Sequence, residues 1–204
     1  MLKRTSIDFV NSILKKNINW KIADIGCGYR ANEYAHVIAD VQDLSSFYRN
    51  KNFVKIEGKK LPFKDKEFDF VIASHVIEHI EDFQFFVKEI ERISSRGYIE
   101  LPTRLGDNLV FENKKDHIWW FTFDDIKNLL IASKRRQLVS PFLSVASGKL
   151  FEEMFRESLV IELIWENKVD YIIESSSRFE KFKEISFLKI FKKYLSKRIR
   201  ALIK

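Results

Sequence analysis

The chain has 204 residues, 46% of them hydrophobic and 32% charged, with a formal net charge of +7. A length of about one ordinary domain, with that much apolar material, excludes wholesale disorder and allows a packed core with an appendage. The single cysteine, Cys27, excludes a disulfide framework and a cysteine-rich zinc site.

The N-terminal stretch returns to polar residues without a small-residue cleavage site, so no signal peptide is expected. No apolar run approaches the ~18 residues of a spanning helix, and a reducing, cytoplasmic setting is the expectation. Residues 5–15 are predicted helical, with Ile7, Val10, Ile13 and Leu14 on one face. Strands are predicted at 20–25, 36–40, 53–56, 68–73 and 97–101. The run at 68–73 is apolar on both faces, as in a central parallel strand. Asp82 is placed to cap a helix reaching about Ser94. A further helix is expected over 123–132, with Asp124 and Asp125 at its positive end. Residues 134–158 have no clear period, and 159–165 with 169–173 read as a hairpin around Glu166-Asn-Lys168.

Residues 178–204 hold ten Lys or Arg and two Glu, which leaves residues 1–177 at a net −1. The division expected is a body over 1–177 and a basic amphipathic helix over 178–204, with Leu188, Phe191, Leu195, Ile199 and Leu202 at helical spacing. Two uses of that helix stay open: packing on its own domain, or lying on an anionic membrane surface.

Strand–helix alternation followed by the hairpin predicts an α/β fold: a Rossmann-like open sheet, mostly parallel, with a C-terminal antiparallel hairpin. Ligands of such sheets collect at the carboxyl ends of the strands. Asp24-Ile-Gly26-Cys27-Gly28 ends the first strand, and glycines there let backbone N–H groups approach a ligand. Asp40 ends the second strand, where a carboxylate can accept two ribose hydroxyls. Glu57-Gly58 follows the third and Ser74-His75 the fourth. Each is an ordinary loop feature alone; their order on successive strands describes a nucleoside pocket.

Asp24-Ile-Gly-Cys-Gly28, Leu61-Pro-Phe63, the block Phe68 to Ile80 and Gly97-Tyr-Ile-Glu-Leu-Pro102 together resemble the ordered motifs of class I S-adenosylmethionine-dependent methyltransferases, most of all the small bacterial type-11 group. The likeness covers 20–102, with His117 to Thr122 similar to a later segment of that group. The resemblance implies a seven-stranded sheet with an antiparallel last strand, and S-adenosylmethionine as cofactor. It implies that Asp24, Gly26, Cys27 and Gly28 wrap the methionine end and that Asp40 holds the ribose. It places Glu57 and Gly58 at adenine, and Ser74 and His75 along the cofactor. The sequence departs from that pattern at Arg30, where a further glycine is expected. It departs again over 29–35, where the 12 positions from Gly28 to Asp40 leave room for at most ~2 helical turns. The first crossover is therefore expected to be shortened.

His75-Val-Ile-Glu78-His79 formally matches H-x-x-E-H, an inverted zinc-protease pattern, but His75 lies at a turn after a strand rather than on a helix. No metal is therefore expected. Ser74 lacks a nucleophile elbow, and Ala31 stands where a dinucleotide fingerprint has its last glycine. Methyl transfer needs mainly position, and a base only where the acceptor must lose a proton; the candidates are His75, Glu100 and His117. Trp119 and Trp120 suit packing better than stacking on an acceptor. The expected acceptor is a small molecule or a glycan or lipid precursor. The alternatives are a non-catalytic binding protein on a degenerate methyltransferase fold, and an RNA methyltransferase. The near-neutral body disfavours nucleic acid.

Overall fold

A computed structural model describes residues 1–175 and 181–202. Five parallel strands form the centre of one sheet: β2 (Ile22–Ile25), β3 (Val37–Asp40), β4 (Asn52–Lys55), β5 (Phe70–Ser74) and β6 (Arg96–Pro102). β9 (Val160–Glu166) runs antiparallel to β6, and β1 (Leu2–Arg4) runs antiparallel to β9. The sheet thus has seven strands in the order β1-β9-β6-β5-β2-β3-β4.

Successive side chains on a strand face opposite sides, and the core divides accordingly. Ala23, Ile25, Val37, Ala39, Val71 and Ala73 join one cluster, and Ile22, Ile38, Phe70 and Ile72 the other. The first is covered by α2 (Phe83–Ile93), which buries Phe83, Phe86, Val87, Ile90 and Ile93. Asp82 caps that helix, accepting from the Phe85 N–H at 3.3 Å. The second is covered by α1 (Ile7–Lys16) through Val10 and Leu14.

No helix joins β2 to β3, as the short spacing anticipates. Hydrogen bonds close the connection instead. Asn32 donates its backbone N–H to Asp24 at 2.7 Å and its side chain to Asn11 of α1 at 3.0 Å. Tyr48 accepts from the Ala31 N–H at 3.0 Å and donates to the Gly28 carbonyl at 2.8 Å.

Two sequence expectations are corrected. Residues 123–132 are no helix. β7 (Trp119–Asp124) and β8 (Leu129–Lys134) form an antiparallel hairpin whose turn places Asn128 at φ +51°. Asp124 caps that turn rather than a helix, accepting from the Ile126 and Lys127 N–H groups at 3.0 Å. The segments 159–165 and 169–173 are no hairpin. β9 belongs to the main sheet, whereas β10 (Tyr171–Ile173) pairs in parallel with β8 in a second, three-stranded sheet. Residues 134–158 contain α5 (Val145–Leu159), closed at its start by a Ser144–Ser147 capping box. Only Gly148 and Leu159 of α5 are buried, so no core-facing periodicity marks it. Two short helices, α3 (Arg104–Leu109) and α4 (Asn113–Asp116), fill the stretch between β6 and β7.

Within the basic segment, Phe187–Leu202 forms α6. From Phe187 to Ala201 every side chain is exposed except half-buried Ser196, so the helix does not pack on its own domain. The 177/178 boundary falls outside the described residues. No helix among the described residues is long and apolar enough to cross a membrane.

Candidate active site

Strand order reverses between β2 and β5: from β2 the chain steps outward to β3 and β4, and from β5 to β6 on the other side. Such a switch point opens a crevice beyond the strand ends. A cavity of about 760 Å³ lies there, beside Ile25, Asp40, Ile56 and His75 at the ends of four parallel strands. Its size suits a nucleoside-sized ligand, for which ~300–1,000 Å³ is usual.

Gly26 and Gly28 line the cavity at φ +73° and +50°. A Cβ on Gly26 would stand 2.4 Å from Val76 Cγ2, so side-chain-free backbone is required at that turn. Gly58 lines the opposite wall at φ +82°, with open space where a Cβ would be. Asp40 is buried at the cavity edge. Its Oδ2 accepts from the Gly28 N–H and its Oδ1 from the Gln42 N–H, both at 2.8 Å, which fixes the carboxylate with a lone pair free on each oxygen.

Asp24 is buried behind this turn and is not part of the wall. Burial pushes its carboxyl up to about 7, against the N–H of Asn32, with Asp40 and Glu100 adding to the rise. Such a group favours a nearby cation. Cys27 is also buried behind the wall, and burial pushes its thiol up to about 12. Ser74 is half-buried and does not line the cavity. Glu57 stands out in solvent, 3.3 Å from Lys55, and its neighbours Ile56, Gly58 and Lys59 form the wall instead.

His75 holds a left-handed backbone, φ +55°, a strained conformation for a residue with a side chain. Its Nδ1 lies 3.1 Å from Glu78 Oε1 and its Nε2 3.0 Å from Glu100 Oε1. Burial opposes its charge, but the two carboxylates prevail and raise it to about 10. A cationic ring with both nitrogens engaged is a wall residue and a poor base. Burial would raise Glu100, yet His75, Arg156 and Tyr98 hold it at about 2. Arg156 of α5 reaches Glu100 at 2.6 Å and Glu162 at 3.0 Å, and the Tyr98 hydroxyl lies 2.6 Å from Glu100. These buried carboxylates are thus neutralised by a residue from the stretch whose sequence has no period.

The third base candidate, His117, has its Nδ1 2.6 Å from Asp107 Oδ1 of α3. Trp120 donates to the same carboxylate at 2.6 Å. Trp119 donates to the carbonyls of Ile80 and Glu81 at 3.1 and 3.2 Å. Both tryptophans are buried braces, and Trp119 fixes the cavity rim. Leu61, Val76, His79, Ile80 and Phe85 also line the cavity without having been singled out for it. Leu61 had a signal, since it opens the Leu61-Pro-Phe63 motif.

A mostly parallel sheet, a glycine turn after its first inner strand and a fixed carboxylate after the next are the features that the resemblance to class I S-adenosylmethionine-dependent methyltransferases predicts. Residues 23–99 match the family model described as a methyltransferase domain. The chain is 28% identical over 106 residues to the ubiquinone biosynthesis O-methyltransferase of Pelagibacter ubique, strain HTCC1062; the match covers 45% of this chain and 44% of that protein. It therefore spans less than half the length of that curated relative. Among solved structures, the S-adenosylmethionine dependent methyltransferase from Mesorhizobium loti is 12% identical, with a TM-score of 0.44 over 78% of this chain and 96% of that one. The PH0226 protein from Pyrococcus horikoshii OT3 is 17% identical, with a TM-score of 0.45 over 79% and 89%.

Proposed function

We propose that this chain transfers a methyl group from S-adenosylmethionine to a small acceptor, such as a glycan or lipid precursor. The observation that carries this is the meeting of Gly26, Gly28, Asp40, Gly58 and His75 on one cavity at the strand ends. The residues fit an adenosine-bearing cation: Asp40 offers two positioned acceptor oxygens, and Asp24 is a buried carboxyl that a positive ligand would keep ionised. When bound, the donor supplies a methyl group already activated by its positive sulfur.

Asp40 accepts the ribose hydroxyls, and the Gly26–Gly28 turn leaves room for the amino-acid end. Asp24 balances the ammonium from behind that turn. His75, pinned by two carboxylates, forms a fixed floor beside the reacting centre. Ile80, Phe85 and Phe86 exclude water on the far side. The contribution of the protein is thus chiefly alignment, with acceptor and methyl carbon brought to ~3–3.5 Å in line. The name of the Pelagibacter relative favours oxygen as the accepting atom.

We further propose a cytoplasmic enzyme that touches anionic lipid through α6, whose apolar residues are exposed beside six cations and no acid. The test of the main proposal is turnover: the full chain, given the donor and a panel of hydroxylated small molecules, should release S-adenosylhomocysteine detectable by mass. No release with any acceptor, together with tight donor binding, would favour the non-catalytic alternative.

A further inference from the structure

Immediately beyond His75 the chain brings together three groups to which the proposed donor contacts assign no role, one of which, His79, lines the same cavity. A carboxylate oxygen of Glu78 and ring nitrogens of His79 and His117 all lie within 4.8 Å of one another. Glu78 and His79 come from the 3-10 turn Ile77–His79, and His117 from the start of the β7 hairpin, which donates the Ile118 N–H to the Glu78 carbonyl at 2.8 Å.

The donor set is prepared in a specific way. His117 Nδ1 is held by Asp107 at 2.6 Å, and Asp107 is itself fixed by Trp120 at 2.6 Å and lies 2.8 Å from Arg135. His79 Nδ1 is held by the Asp116 carbonyl at 3.0 Å. Each ring is thereby fixed as the tautomer that offers Nε2, the arrangement by which carboxylates and carbonyls orient metal-ligating histidines. The two rings meet edge to face, with centroids 4.4 Å apart.

Glu78 is an independent observation. Its side chain is fully buried, and Oε1 is taken by His75. Oε2 is buried with no hydrogen-bond partner among the described residues. A buried ionised oxygen without a partner is costly. A cation shared with the two imidazoles would satisfy it.

We propose that Glu78, His79 and His117 form a site for one divalent transition cation of the zinc class. Two imidazoles and one carboxylate suit zinc-class ions, and they leave a coordination position for water or substrate. Bonds of ~2.0–2.1 Å set such ligand atoms roughly 3.4 Å apart, so small side-chain rotations complete the set. His79 and Asp116 also line the 760 Å³ cavity, so a cation held here would border the space proposed for methyl transfer. This last point rests on the methyl-transfer reading. On that reading the acceptor is hydroxyl-bearing: its oxygen binds the cation, the O–H bond breaks, and the proton leaves to water.

The experiment is equilibrium dialysis of the full chain, first stripped with chelator, against Zn²⁺, Co²⁺ or Mg²⁺ without donor or acceptor. The expectation is one Zn²⁺ per chain and visible Co²⁺ absorption bands of imidazole and oxygen ligation. His79→Ala alters an exposed residue and Glu78→Gln keeps the side-chain shape; each should weaken Zn²⁺ binding by about 10-fold or more. Circular dichroism confirms that each variant is folded. Zinc binding absent from the wild type, equal in either folded variant, or replaced by Mg²⁺ alone would overturn the proposal. Donor titration of the stripped chain separates the two ideas: donor binding without a zinc site leaves methyl transfer standing, and zinc binding without donor binding leaves the metal site standing.

Discussion

On the proposed function, His75 and Asp24 are the two titratable side chains whose surroundings most shape the crevice. His75 ends β5 in a strained backbone conformation between Glu78 and Glu100, and its charge is fixed by them. Asp24 is the opposite case, a buried acid with no cation beside it among the described residues. Its carboxyl sits at about 7 in the folded chain against an ordinary 3.8, so the folded state holds a proton that the unfolded state loses. Its contribution is therefore fully present below about pH 3.8 and is lost as pH rises through about 7. Asp24→Asn should remove this slope. In denaturant unfolding of the ligand-free chain, the stability difference should shift in favour of the variant between pH 4 and pH 7. A difference that does not change over that interval would mean that Asp24 is ionised throughout. The identities of these residues were legible because strand-end acids and glycines stand beside their own strands in sequence. The ion pair that holds Glu100 was not legible, since Arg156 reaches it from a segment far along the chain.

At the scale of elements, the parallel strands and α2 were readable because their apolar runs and spacing match the layers they enter. The pair β7–β8 was misread because Leu129-Leu130-Ile131-Ala132 is continuous, and the turn signal is one asparagine at positive φ. β1 has only three residues and is specified by its pairing with β9, which leaves no local trace. Close packing also limits the sheet. At Gly97 a Cβ would lie 2.3 Å from the Val71 carbonyl oxygen and 2.8 Å from Trp165 Nε1. Backbone cannot yield there as a flexible side chain can, so Gly97→Ala should cost about 1–3 kcal/mol or prevent folding. Equilibrium denaturation measures this, and a variant as stable as the parent would show that β5, β6 and β9 are looser than described. The Leu61-Pro-Phe63 motif is explained at this scale too. Arg92 of α2 donates to the Leu61 and Phe63 carbonyls at 3.0 and 2.7 Å, and Glu89 accepts from the Leu61 N–H at 2.8 Å. The motif thus ties a cavity wall to a helix.

The whole molecule pairs a near-neutral body with a cationic, apolar helix that rests on nothing among the described residues. An amphipathic helix of this kind gains from anionic lipid both by burial and by charge. Flotation with vesicles containing anionic lipid should carry the full chain. Replacing Lys189, Lys192, Lys193, Lys197, Arg198 and Arg200 by glutamine should release it, whereas equal flotation of both forms would remove lipid as the partner of α6. The molecular claim on which the rest depends is that the crevice holds the methyl donor through Asp40. Calorimetric titration of the full chain with S-adenosylhomocysteine tests it most directly. One binding site should be found, weakened by ~1.5–3 kcal/mol in Asp40→Ala through loss of charge-assisted hydrogen bonds. No binding at millimolar ligand, or equal affinity in the variant, would contradict it.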